Sequence, residues 1–138
     1  ISNQKRFRKA TRDRVNNIFC NVGQVFWVID ENQIDTATAI SGSGPAYFYY
    51  FSENMIAAAT KLGMPEKLAR ELVEQTFLGS ALLKQDSKDS LSKLRAKVTS
   101  KGGTTEAAIN SFTKERLETI VIKAVECAHK KSLELSKR

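Results

Sequence analysis

The sequence predicts an all-α fold, a bundle of helices with one short strand near its N-terminus. Three observations lead there. Apolar residues recur at three-and-four spacing in most segments after residue 30. Only one stretch is strand-like, and one long helix is apolar on every side.

Residues 5–22 read as the first helix, with Phe7, Val15, Ile18, Phe19 and Val22 on its apolar stripe and Gly23 as its C-cap. Gln24-Val25-Phe26-Trp27-Val28-Ile29 is β-branched and aromatic, the pattern of a strand. A single strand needs partners for its ladder groups. Another subunit supplies them, or the strand is the edge of a sheet that lies elsewhere. After Asp30-Glu31-Asn32 a short helical segment covers residues 32–40, and Ser41-Gly42-Ser43-Gly44-Pro45 interrupts it.

A long helix then runs from Pro45 to Leu62, with proline at a position where its missing N–H costs nothing. Gly63 and Pro65 end it and start the next. Residues 66–84 carry Ala69, Leu72, Val73, Thr76, Phe77, Ser80 and Ala81 on one face. A polar link, Asp86–Ser90, precedes a short helix at 91–97. A second glycine-containing loop leads to helices at 105–112 and 114–135, the last striped with Leu117, Ile120, Val121, Ala124, Val125 and Ala128.

The helix from Pro45 is unlike the others. Ala46-Tyr47-Phe48-Tyr49-Tyr50-Phe51 is apolar or aromatic at every position, and Met55–Ala59 continues it. A helix apolar all round must be covered all round. In so small a domain an intimate dimer is the favoured cover, the alternative being a central helix wrapped by its own chain.

Whole-chain properties limit the function classes. At 138 residues the chain has the length of one domain and can bury a core without staples. No apolar run approaches the roughly 20 residues that span a bilayer, and the basic N-terminus has no secretory leader's apolar core. No membrane partner is expected. Cys20 and Cys127 lie far apart with no CxxC spacing, so reduced thiols and a cytoplasmic location are expected. With His129 as the one histidine there is no ligand set for zinc, and no metal is expected.

The net charge of +7 raises a nucleic-acid reading. Basic residues crowd the first helix (Lys5, Arg6, Arg8, Lys9, Arg12, Arg14), with more at Lys93, Arg95, Lys97 and Lys101 and near the C-terminus. No aromatic-interleaved stripe or helix-turn-helix spacing accompanies them. Solvated helix faces are the favoured reading, and no nucleic-acid partner is expected.

Two loops could carry chemistry. Gly42-Ser43-Gly44-Pro45 looks superficially like a nucleotide turn. A dinucleotide fingerprint needs G-x-G-x-x-G after a core strand, whereas Tyr47 takes the third glycine position and Asp35–Ile40 makes a poor strand. Small residues here permit close approach by a ligand or another chain, and a helix-joining turn with a capping serine is the simpler reading. In Ser100-Lys101-Gly102-Gly103-Thr104-Thr105, two glycines and two threonines open a helix. Free N–H groups at the positive end of a helix dipole bind carboxylate or phosphate. The hydroxyls of Ser100, Thr104 and Thr105 donate and accept, which suits a ligand with both an anion and an N–H. Thr104 or Thr105 as a mere cap is an equal alternative. Glu106 in the first turn stabilises the helix by the same dipole. There is no Ser/His/Asp or Cys/His constellation, which leaves room for catalysis by positioning and a cofactor.

Together these loops resemble a known family. Thr38-Ala39-Ile40-Ser41-Gly42-Ser43-Gly44-Pro45-Ala46-Tyr47 is similar to the TA-[LIV]-SGSGPAY signature of pyrroline-5-carboxylate reductases. Val98-Thr99-Ser100-Lys101-Gly102-Gly103-Thr104-Thr105 resembles that family's V-T-S-P-G-G-T-T segment. Leu62-Gly63-Met64-Pro65, Gln75-Thr76 with Gly79, and Leu94-Arg95 also fall in the family's order, so the resemblance covers about residues 10–135. Lys101 departs from it, since the family usually has proline there.

The resemblance implies an all-helical domain that interlocks with its twofold mate as a homodimer, often within rings of dimers. It implies reduction of 1-pyrroline-5-carboxylate to L-proline with NADPH or NADH, the nucleotide held mainly by an N-terminal Rossmann domain. On that plan residues 1–29 are the last helix and edge strand of the nucleotide domain, and 30–138 the dimerisation and substrate domain. Ser100, Gly102, Gly103, Thr104 and Thr105 would bind the substrate, with Thr105 the catalytic residue bonded to the ring nitrogen. Ser41, Gly42, Ser43, Gly44 and Pro45 would lie near the substrate and nicotinamide. A piece without the nucleotide domain is expected to be inactive alone.

Overall fold

The structure is a computed structural model, and it describes residues 8–136. Its elements are α1 (Lys9–Phe19), α2 (Asn32–Ala37), a π-turn (Thr38–Gly42), α3 (Gly44–Lys61), α4 (Glu66–Asp86), α5 (Leu91–Lys97), α6 (Thr104–Lys114) and α7 (Leu117–Ser136). The fold is all-α, and among the described residues there is no strand or sheet. Two compact units form, Ile1–Gly44 with Lys123–Arg138, and Pro45–Ile122.

In the first unit, α1 ends at Phe19 with Cys20 as its C-cap, earlier than Gly23. The expected strand at 24–29 is not a strand: among the described residues Val28 alone takes a bridge position, and its neighbours are irregular. Backbone this β-prone becomes a strand only against a continuous ladder, and the described residues form none. Side chains fix the segment instead. The Trp27 indole N–H donates to Asn16 Oδ1 at 2.8 Å, and the Arg12 guanidinium lies 4.7 Å from the indole ring centroid. The first seven residues, including Phe7, lie outside the described residues.

Helix α2 is tied to α7 within this unit. Asp35 Oδ1 accepts from Ser132 Oγ at 2.6 Å and from Ser136 Oγ at 2.9 Å. Beyond α2 the chain stays helical where the sequence suggested a break. Ser43 N donates to Thr38 O at 2.9 Å, five residues back, which widens the helix through Thr38–Gly42. Ala39 is buried there.

In the second unit, α3 closes with a Schellman turn. Gly63 takes φ +94°, Gly63 N donates to Thr60 O, and Met64 N donates to Ala59 O. Phe48 meets Phe77 of α4 at 5.7 Å between ring centroids, and Phe51 meets Phe112 of α6 at 6.0 Å. Ala69 and Val73, one turn apart on α4, are the buried apolar residues of this unit among those described. No larger side chain is fully buried among the described residues. Within this unit the described residues do not wrap α3: Phe48, Tyr49 and Tyr50 are 59%, 60% and 69% exposed. The described residues contain no helix long and apolar enough to cross a membrane.

The Asp35 bonds carry a pH consequence. Donation from Ser132, then from Ser136, with a smaller pull from His129, holds this carboxyl below the 3.8 of an unperturbed aspartate. A depressed folded-state pKa contributes stability that is present above the unfolded value and lost as pH falls through the folded one. The α2–α7 tie should therefore loosen only below about pH 3.8. Carboxyl titration by NMR should show the Asp35 midpoint rising towards 3.8 in the Ser132→Ala/Ser136→Ala double variant. An unmoved midpoint would contradict these bonds.

Candidate functional site

Helix α5 delivers the chain to the second loop, and its own termini are well held. Ser90 caps it, its Oγ accepting from Lys93 N at 3.2 Å. Asp89 takes Lys93 Nζ at 2.7 Å and Lys97 Nζ at 2.6 Å, one cation from each turn of the short helix. Those ammonium groups, Lys93 first, hold the Asp89 carboxyl below its ordinary range. At the C-terminal end Thr99 Oγ1 donates to Arg95 O at 2.7 Å, so this hydroxyl is spent on the backbone.

The turn that follows is set by its two glycines. Gly102 takes φ +72°, a left-handed conformation that costs an L-residue about 1 kcal/mol or more. Gly103 is extended at φ −85°, ψ 170° and is the N-cap of α6. Its N–H donates to Ser100 O at 3.0 Å, closing the turn, and its carbonyl accepts from Ala107 N at 3.2 Å. A Cβ at Gly103 would collide with Ser100 Oγ and lie 3.1 Å from Ser100 O. The missing side chain is what lets the Ser100 hydroxyl sit over the helix N-terminus.

Four groups around this turn remain open. The first N–H groups of α6, from Thr104 onward, have no acceptor within the helix. Among the described residues the hydroxyls of Ser100, Thr104 and Thr105 make no hydrogen bond, in contrast to that of Thr99. Glu106 was missed as a participant by sequence reasoning beyond its dipole effect: its Oε2 accepts from Gly102 N at 2.8 Å. An acid at the third helical position after a glycine-rich turn is the signal for such a back-bond. A groove of about 320 Å³ beside the turn is lined by Arg95, Thr99, Glu106, Ile109 and Asn110, among others. One hydroxyl, several free N–H groups and two threonines at one helix N-terminus can hold a small carboxylate and still offer a donor or acceptor beyond it.

The first loop is used differently. Ser41 and Gly42 lie inside the π-turn, and the helix breaks only at Ser43, ahead of Gly44 and Pro45 in α3. Ser41 Oγ donates to Ala37 O at 2.7 Å and Thr38 Oγ1 to Ile34 O at 2.9 Å, so both hydroxyl protons serve the backbone. Ser43 is half-buried, with no side-chain bond among the described residues. Gly44 is buried, and Gly42 would bring a Cβ to 3.6 Å of Thr38 Cγ2, ordinary contact. Cys20 and Cys127 are free and exposed, and no group of three or more His, Cys, Asp or Glu among the described residues is placed to hold a metal.

These features define a helical domain with a glycine-containing turn opening a helix. Comparison with known proteins identifies its family. Residues 31–135 match the family model described as pyrroline-5-carboxylate reductase dimerisation, and the chain belongs to that family. It is 41% identical over 129 residues to the pyrroline-5-carboxylate reductase of Pseudomonas aeruginosa, covering 94% of this chain and 47% of that protein. With the Haemophilus influenzae reductase it shares 43% identity over 115 residues, 83% of this chain and 42% of the relative. Among solved structures, a pyrroline-5-carboxylate reductase from Coxiella burnetii superposes with TM-score 0.89 at 40% identity, covering 94% of this chain and 48% of that one. A Plasmodium falciparum pyrroline carboxylate reductase, solved with NADP bound, gives TM-score 0.80 at 38% identity over 93% and 48% of the two chains. The chain thus spans about half the length of the relatives it matches.

The glycine geometry makes a direct prediction. Gly102→Ala should lower stability by about 1–2 kcal/mol, the cost of holding an L-residue at φ +72°. Chemical denaturation measures it, and a variant as stable as the parent would contradict the described turn.

Proposed function

We propose that this chain is the substrate-binding and dimerisation half of a reductase that converts 1-pyrroline-5-carboxylate to L-proline with NADPH or NADH. The observation that carries the reading is the Ser100–Thr105 turn, whose open N–H and hydroxyl groups suit a carboxylate, in a chain of this family. The substrate carboxylate would sit at the α6 N-terminus, held by Ser100 and the Gly103–Thr105 backbone. Gly102 and Gly103 give the turn its shape, and Thr105 donates to or accepts from the ring nitrogen. The Ser41–Pro45 turn lies against the substrate and the nicotinamide.

A nicotinamide nucleotide, when bound, would supply a hydride to the imine carbon, and water or a proton already on the imine nitrogen would complete the secondary amine. This chain's share is to orient the ring by its carboxylate and its nitrogen. The described residues suit only the nicotinamide end of such a cofactor, because neither loop is a pyrophosphate-binding fingerprint after a strand. The phosphates are therefore assigned to a nucleotide domain. Residues 1–29 are its last segment and 30–138 the substrate domain. This chain alone is inactive on that assignment.

A homodimer follows from the same reading. Four consecutive side chains, Phe48, Tyr49, Tyr50 and Phe51, turn through about 300° of α3 and all remain exposed. Covering them requires apolar surface beyond what one chain supplies, and a second copy with the same need supplies it symmetrically.

Activity is tested in the complete polypeptide that carries this chain, by following NADPH oxidation with pyrroline-5-carboxylate. Thr105→Ala should lower kcat/KM about tenfold or more, roughly 1–2 kcal/mol for a lost hydrogen bond. Unchanged kinetics would remove Thr105 from the reaction, and no turnover by the parent would overturn the reading.

A further inference from the structure

We propose that Asp35 is a positioning residue, which through Ser132 and Ser136 fixes α2 and the π-turn and so sets where Ser41 and Gly42 stand. The inference rests on the reading that puts the Ser41–Pro45 turn at the nicotinamide, and deepens it. Asp35 lies on neither glycine-containing loop, yet the backbone joins it to the first of them. Ala37 at φ −62°, ψ −38° and Thr38 at φ −60°, ψ −47° are both helical, so α2 runs into the π-turn without a hinge. Ser43 N then donates to Thr38 O at 2.9 Å and closes the wide turn. Ile34, Ala37 and Ser41 line one groove of about 280 Å³ together with Phe19, Phe26 and Val28. Helix α2 and the π-turn therefore present a single wall, and a tilt of one moves the other.

Six residues are too few for a helix to stand alone. The start of α2 is held by its neighbours: Asp30 Oδ1 accepts from Asn32 N at 3.1 Å, and Gln33 Oε1 from Ile29 N at 3.0 Å. These bonds shape the entry without fixing the helix against another element. Among the described residues, the side-chain bonds from α2 to a distant part of the chain are those of Asp35. Its Oδ1 accepts from two hydroxyls one turn apart on α7, Ser132 at 2.6 Å and Ser136 at 2.9 Å. Ser136 shares its proton with Ser132 O at 3.0 Å, so Ser132 is the stronger donor. Hydrogen bonds to a charged acceptor are about twice as strong as neutral ones, and two donors on one helix fix direction as well as distance. The end of α7 thus grips α2 three residues before the π-turn begins. Misplacing a reacting group by about 1 Å can cost roughly a hundredfold in rate, so loosening this grip acts on the nucleotide side of the reaction.

The complete polypeptide is assayed for NADPH oxidation with each substrate varied in turn. Asp35→Ala, and separately Ser132→Ala/Ser136→Ala, should raise KM for NADPH about fivefold or more. KM for pyrroline-5-carboxylate, which the Ser100–Thr105 turn governs, should move less than about twofold. Loss of folded enzyme would lower kcat and leave KM untouched, so KM is the deciding quantity. Asp35→Asn keeps an oxygen that accepts from both serines, and Ser132→Thr keeps the hydroxyl, so both should retain KM for NADPH near the parent's. Hydrogen exchange read by mass spectrometry on the same variants reports the turn itself. The Ser43 amide, bonded across the π-turn, should exchange about tenfold faster in Asp35→Ala and in the double serine variant. Where Asp35→Ala fails to fold, the double serine variant carries the test. Unchanged exchange at Ser43 would overturn the proposal, as would KM values that shift alike for nucleotide and substrate. Failure of the underlying reading looks different: exchange quickens while KM for NADPH stays put, the turn does not face the nicotinamide, and the proposal falls with it.

Discussion

Unburied apolar surface is the constraint on which the rest of this structure depends. Among the described residues Ala39, Ala69 and Val73 are the buried apolar side chains, none larger than valine. Phe48, Tyr49, Tyr50, Phe51 and Met55 of α3 stay exposed, as do Leu68, Leu72 and Phe77 of α4. Burying a large apolar side chain is worth about 1.5–3 kcal/mol, so a fold that leaves this many uncovered forgoes most of its own driving force. Helices with good local signals, a Schellman turn after α3 and a serine cap on α5 add only about 1 kcal/mol each. Local signals define the elements, and a second surface must complete the core.

The Ser100–Thr105 turn depends on different physics. Its shape comes from two glycines with unlike tasks, Gly102 for its left-handed φ and Gly103 for the space under the Ser100 hydroxyl. Asp89 and Ser90 hold the short helix before the turn, while Glu106 braces it from the helix after. The hydroxyls divide accordingly. Thr38, Ser41 and Thr99 donate to carbonyls four residues back, and Ser100, Thr104 and Thr105 stay available. Identical residue types a few positions apart are thus bonded to the backbone or left open according to which carbonyl lies within reach.

Most helices were legible from apolar period and punctuation. The helices at 91–97 and from Pro45 agree with α5 and α3 to within a residue or so, because a capping serine and Gly63 mark their ends. The segment 24–29 misled, since β-branched and aromatic composition records a preference that only a ladder partner can realise. The Ser41–Gly42 interruption also misled: small residues suggested a break, yet one extra residue per turn was absorbed as a π-turn and the helix ran on to Ser43. Of the proposed site, the Ser100–Thr105 composition marked the glycine turn that opens α6. The Glu106 back-bond and the spent Ser41 hydroxyl required coordinates, because periodicity says nothing about which hydrogen bond a flexible side chain selects.

Two copies of this chain sharing one core is the arrangement we propose. Thermal unfolding measured across a hundredfold range of chain concentration tests it most directly. A core completed by a second copy ties folding to association, so the unfolding midpoint must rise with concentration. A midpoint independent of concentration, with a monomer's mass in solution throughout, would contradict it.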